Sequence, residues 1–319
     1  MLKGPVLRTI RRRCLFATAA SLLTLTGCGS DSPDGAERTP LREVVAVASA
    51  PAEFFTTVAI GGGPAVERLG EQLADAATWS PSDSDLAALV SARRTLLLGF
   101  EFEPWAQRAG LPPSRTITLA DGVDAAALIS TATVTHTHGN GPAHSHGGIV
   151  PTAWTSPQIL RTLMHETGER LAGALTLDGA DAKRRGDEAV ARRTAFEASV
   201  SAYEAELTSL QQALRGRALI AAGHGFEYIA RAVEAPLTVV LLEDGSNDHA
   251  TDLLEQASAK SGHAGVLLWR GEVHQALADA IEAEHGLASL SLDLGSRGEG
   301  ATVLDRLTVS IRKLTQEVR

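Results

Sequence analysis

The chain has 319 residues, enough for about two domains and a sizeable core. Hydrophobic residues make up 44% and charged residues 21%, which excludes a disordered chain, and 29 basic against 38 acidic residues leave a net charge of −9, the wrong sign for a nucleic-acid partner. Aromatics at 4% exclude a stacking platform for bases or sugars, and two cysteines exclude a disulfide scaffold or a cysteine-built metal site.

The amino terminus reads as an export signal. Lys3, Arg8, Arg11, Arg12 and Arg13 form a basic region, followed by the apolar-to-small stretch from Cys14 to Thr26. That stretch is too short to span a bilayer and suits a secretory core. It ends at Leu25-Thr26-Gly27-Cys28, which looks like a bacterial lipobox, with Cys28 as the lipidated first residue of the mature protein; the alternative is a plain signal peptide with an incidental cysteine. Either way the protein is exported, to the periplasm or the outer face of the cytoplasmic membrane. Removing residues 1–27 takes away five positive charges and no acids, so the mature chain carries −14 and is expected to stay off anionic lipid except through its anchor. Gly29 to Pro40 is rich in Gly, Ser, Asp and Pro and reads as a tether.

Short apolar runs then alternate with helical stretches. Strands are expected at Glu43–Ser49, Arg94–Phe100 and Thr116–Ala120, with helices at Glu53–Ile60, Asp83–Ala92 and Glu103–Gly110; Ser82 or Ser80 caps the second helix. Ser156 to Leu175 is helical again. From Asp181 to Leu214 no proline occurs, and Phe196, Val200, Tyr203, Leu207, Leu210 and Leu214 recur in steps of four and three along one face of a long helix, with Gly186 an early flaw after which its long part begins. A second series follows, with strands Ala218–Ala222, Leu237–Leu242, Gly265–Trp269 and Ser289–Asp293. Helices Phe226–Val233, His249–Lys260 and Val273–His285 separate them, and a last helix starts at Thr302. This βα alternation predicts an α/β protein with two parallel-sheet lobes, 41–177 and 217–319, joined by one long helix over 178–216.

Four of the ten histidines, His136, His138, His144 and His146, fall within eleven residues around Gly139-Asn140-Gly141-Pro142. The segment 135–148 lacks hydrophobic periodicity and reads as a mobile loop. Neutral imidazoles in His-x-His pairs collect zinc, nickel or copper(II), and no nearby methionine or cysteine favours copper(I); a merely solvated loop is the other reading. Gly61-Gly62-Gly63-Pro64 lacks the Lys and Ser/Thr of a phosphate loop, His165-Glu166-Thr167-Gly168-Glu169 lacks the second histidine of a zinc protease, and no Gly-x-Ser-x-Gly elbow occurs, so an enzyme is not expected.

Several segments in order resemble the metal-binding lipoproteins of zinc and manganese ABC importers: Ala77-Thr78-Trp79-Ser80-Pro81-Ser82-Asp83, Phe102-Glu103-Pro104-Trp105, Pro151-Thr152-Ala153-Trp154-Thr155-Ser156-Pro157, Gly223-His224-Gly225-Phe226-Glu227-Tyr228 and Leu292-Asp293-Leu294-Gly295. The resemblance covers nearly all of the mature chain. It implies the cluster A-I-like periplasmic binding protein fold and a monomer that captures zinc, manganese or another divalent metal between its lobes for an ABC permease. It also implies His224 and Asp293 as cleft ligands, while Ala77 and Thr152 stand where the family places histidines. With only two cleft ligands, the histidine loop is expected to assist the site; the alternative is a relative that works as an envelope metal buffer or interaction module through that loop.

Overall fold

Strand β1, Arg42–Val47, and strand β3, Ala92–Leu97, lie side by side in parallel at the centre of the first sheet. The computed structural model describes residues 42–61, 66–70, 79–131, 134–136, 144–146, 148–171, 180–242, 248–259, 262–271, 273, 275–295 and 302–319. Strand β2, Val66–Arg68, and strand β4, Thr116–Thr118, complete a sheet of order β2-β1-β3-β4, with all neighbours parallel. Helices α1, Ala50–Ile60, and α2, Asp83–Ser91, connect these strands. Because successive side chains alternate across a strand, Val45 and Val47 face one apolar cluster with Phe55 of α1, while Ala46 and Ala48 face another with Leu89 of α2 and Trp105. Both faces are covered, as a parallel sheet requires.

Between the lobes in sequence come strands β5, Val134–His136, and β6, His144–His146, then helix α3, Pro157–Leu171, and helix α4, Ala180–Leu214. The second lobe runs β7 (Ala218–Ala222), α5 (Glu227–Ala232), β8 (Leu237–Val240), α6 (Asp248–Ala259), β9 (His263–Arg270), α7 (Gln275–His285), β10 (Ala288–Leu292) and α8 (Val303–Glu317). Its sheet has the order β10-β9-β7-β8, again all parallel. Ile220 and Leu267 point to a cluster with Leu254 and Ile281 of α6 and α7. Leu219, Ala221 and Leu268 point the other way, to the cluster shared with α4 and α8.

That shared cluster is continuous from Val45 in the first sheet, through Phe196, Val200, Tyr203, Leu207, Leu210 and Leu214 of α4, to Leu219 in the second. The stripe read from the sequence is therefore the seam between the lobes. The helix passes straight through Gly186, which is exposed and whose missing side chain leaves open space. Tertiary packing of the later turns overrides a penalty of about 1 kcal/mol at that glycine.

Two local expectations are corrected, and one strand is added. Residues 135–148 are not structureless throughout: β5 pairs with β6 in antiparallel register, which suits the β-branched Val134 and Thr135. The expected helix at Glu103–Gly110 is a five-residue 3-10 turn, Pro104–Arg108, and Gly110 just beyond it takes φ +61°. Strand β2 was not expected, since three residues are too few to show an alternation. Of the sequence readings, the export signal, Cys28 and the tether lie outside the described residues, as do Ala77 and His138.

Candidate metal site

In parallel α/β sheets, ligands are bound beyond the carboxyl ends of the strands, because there the loops converge and helix amino termini point. The second lobe sends Gly223-His224-Gly225 from β7, Arg270-Gly271 from β9 and Asp293-Leu294-Gly295 from β10 to this edge. The first lobe meets them with the segment Pro151–Ser156 ahead of α3. Thr152, fully buried, donates its hydroxyl to the Gly225 carbonyl at 2.8 Å, and the buried Trp154 indole donates to the Leu294 carbonyl at 2.7 Å. Farther along, the Ile129 amide donates to the Tyr228 hydroxyl at 3.0 Å, and Arg231 donates to the Ala127 carbonyl at 2.7 Å. These bonds stitch the lobes together directly.

Gly225 explains how close the approach is. A Cβ there would stand 3.3 Å from Cδ of Arg270 and 3.4 Å from Cγ2 of Thr152, and its φ is +131°. Thr152 thus packs closely on Gly225, and its hydroxyl is committed to the Gly225 carbonyl.

His224 is half-buried, with Nδ1 2.5 Å from Oε1 of Glu227, whose Oε2 accepts from the Gly225 amide at 2.7 Å. Burial works against the charge on Glu227, but the bonds from His224 and the Gly225 amide outweigh it and hold its carboxyl below the ordinary range. Asp293 Oδ1 accepts from the Gly295 amide at 2.8 Å, and Oδ2 lies 3.9 Å from the Arg306 guanidinium. His224 and Asp293 therefore each have a protein partner at the junction. Among the described residues, no three His, Cys, Asp or Glu side chains come together as a metal-holding group. Glu227, Arg270 and Arg306 were missed in the sequence; only the i, i+3 spacing of His224 and Glu227 could have hinted at the first.

The histidine ribbon is built differently. Its register sets His136 directly opposite His144, and His146 opposite Val134. Since positions directly opposite share a face and so do positions two apart, His136, His144 and His146 occupy positions on one face of the ribbon. Its root is tied down by the Thr131 amide to the Gly148 carbonyl, 2.9 Å, and by the bridge from Ser130 to Ile149.

The family model described as zinc-uptake complex component A, periplasmic, matches residues 44–316. The chain belongs to this family. Compared by sequence with curated proteins, it finds no match. Among solved structures, this zinc-uptake family member resembles the crystal structure of ZnuA, at 20% identity and a TM-score of 0.64, over 88% of this chain and 100% of that one. It is similar to the metal-dependent lipoprotein YcdH from Bacillus subtilis, at 14% identity and TM-score 0.67, over 86% and 98% of the two chains. It is also similar to the solute-binding protein FpvC from Pseudomonas aeruginosa in complex with Mn2+, at 13% identity and TM-score 0.67, over 87% and 99%. At these identities the likeness establishes the two-lobed fold. Family membership makes the chain an exported solute-binding component of an ABC import system for divalent metal, and no described helix is long and apolar enough to cross a membrane.

Proposed function

We propose that this chain captures zinc, or manganese or another divalent transition metal, outside the cytoplasm, and hands it to an ABC permease from a site whose ligands come mainly from the histidine ribbon. The observation that carries this reading is the ribbon register, which gathers His136, His144 and His146 on one face. At the lobe junction, by contrast, Thr152 is bonded to Gly225, and His224 and Asp293 have protein partners. Neutral imidazoles suit zinc, and the Zn2+ or Mn2+ named for the relatives belongs to the same class of cargo. His138 is counted with the ribbon from its sequence position alone.

The reading extends to the envelope. Cys28 carries the lipid anchor, the protein acts as a monomer, and it performs no catalysis. A Cys28→Ala protein is expected to leave the membrane fraction; firm membrane association equal to wild type would count against the anchor.

Calorimetric zinc titration of three variants tests the site. Deleting Thr135–His146 is expected to abolish tight binding. His224→Ala is expected to weaken it if the junction shares the ion and to leave it unchanged if the ribbon acts alone, and Asp293→Ala reads the same way. Tight binding that survives the deletion would refute the ribbon. Binding is also expected to fade below about pH 6, where imidazoles protonate and can no longer ligate.

A further inference from the structure

Helix α4 ends at Leu214, and Arg215 and Gly216, with φ of +51° and +80°, turn the chain toward β7. Arg217 closes this turn. Its Nε donates to the Leu214 carbonyl at 3.1 Å, and its Nη2 donates to the Ala213 carbonyl at 3.0 Å and to the Val318 carbonyl just past α8. Two of the last carbonyls of α4 are thereby met by one guanidinium, whose Nη1 keeps no protein partner among the described residues.

A cavity of about 650 Å³ lies beside this turn, lined by Ser209, Gln212, Ala213, Arg215, Arg217 and Arg319. Three of these side chains are arginines and none is acidic, in a chain whose net charge is −9. Arg215 and Arg319 are exposed, and their guanidiniums make no hydrogen bond or ion pair among the described residues. The Gln212 amide is free in the same sense, whereas the Ser209 hydroxyl donates back to the Ala205 carbonyl at 3.0 Å. The negative end of a helix attracts basic residues, which accounts for Arg217. It does not account for the other two, because neither bonds to the helix carbonyls. Arg215 also keeps its side chain in left-handed backbone just past the helix, where glycine is the usual residue. Like charges gathered round one cavity repel each other, and an anion among them removes that cost.

We infer that this cavity binds a phosphate-class oxyanion, at the amino end of β7 and so at the opposite end of that strand from His224. A planar carboxylate is satisfied by one guanidinium fork, whereas tetrahedral phosphate offers oxygens to donors arriving from several directions. Arg217, held by its carbonyl bonds, is the fixed donor; Arg215 and Arg319 close on the anion, and Gln212 adds a neutral donor. Free inorganic phosphate and the phosphodiester of a lipid headgroup share this chemistry. The site is separate from the metal reading and stands or falls without it.

The test is calorimetry and thermal unfolding of the metal-free full chain in a phosphate-free buffer. The probes are inorganic phosphate, the soluble phosphodiester glycerophosphoglycerol, and acetate as the carboxylate control. Wild type is expected to bind one phosphate-class anion per chain, with a rise in unfolding midpoint and an affinity that falls as chloride is added. Arg215→Gln combined with Arg319→Gln is expected to weaken binding at least tenfold and to leave the anion-free midpoint undiminished, since neither side chain bonds to the protein. Arg217 is left in place because it also ties α4 to α8. Uptake of phosphate but not the diester would support the site with the free anion as its ligand, and uptake of the diester at equal or higher affinity would support it with the headgroup. Failure of both to bind, equal affinity in wild type and the double variant, or acetate held as tightly as phosphate would overturn the proposal.

Discussion

Glu103 carries a carboxylate into the interior of the first lobe. Burial raises its pKa from 4.5 to about 7, against the opposing pull of the Leu98 and Gly99 amides and the Ser49 hydroxyl. Since the folded value lies above the unfolded one, the protonated form adds stability below about pH 4.5, and that contribution is lost as pH rises through about 7. The loss amounts to about 2–4 kcal/mol. Urea unfolding at pH 5 and pH 8 is expected to show this decline in wild type and a smaller one in Glu103→Gln, which cannot ionise; equal declines would show that Glu103 does not titrate there. Thr152→Val keeps the shape but leaves the Gly225 carbonyl without its donor. A loss of about 1–3 kcal/mol is expected by the same measurement.

Individual elements owe their limits to local chemistry. Helix α2 starts where Ser82 and Asp85 form a reciprocal capping box, and α8 starts at the equivalent pair Thr302 and Asp305. Ser82→Ala is expected to lower stability by about 1 kcal/mol in chemical denaturation. Helices α3 and α4 are joined on their outer faces by Arg161, which makes paired bonds of 2.7 and 2.9 Å to the Glu204 carboxylate and a 3.0 Å bond to Glu197. Both sides of that network are more than a third exposed, so solvent screening limits Arg161→Met to a cost of about 1 kcal/mol or less. The buried face of α4 matters more. Leu210→Ala removes packing from the seam and is expected to cost about 2–5 kcal/mol.

Among the described residues, the two lobes share their main core cluster through α4, with a smaller cluster on the other face of each sheet. Thermal unfolding of wild type and of Leu210→Ala is therefore expected to show one transition, with both lobes lost together; two resolved transitions would contradict the shared core. The bonds from Thr152, Trp154, Ile129 and Arg231 across the junction also oppose wide opening. Small-angle scattering with and without zinc is expected to give the same radius of gyration, and a marked compaction on zinc addition would point to a cargo site between the lobes.

The alternation of apolar strands with capped helices is written locally, in side-chain periods and turn residues, so Ala218–Ala222 and the stripe from Phe196 to Leu214 were legible before any coordinates. The clustering of histidines and the ordered segments around Thr152, His224 and Asp293 were equally visible, because they are matters of spacing. Register and partnership were not. That His136 faces His144 depends on which residue pairs with which across a turn, a one-residue slip of which would change every face. That Arg306 sits beside Asp293, Thr152 beside Gly225 and Glu101 beside Gly148 depends on contacts between residues 13 to 73 positions apart. Such contacts are decided by how the elements of both lobes pack with α4 and α8 into the shared core, a property of the assembled chain that no local window of sequence contains.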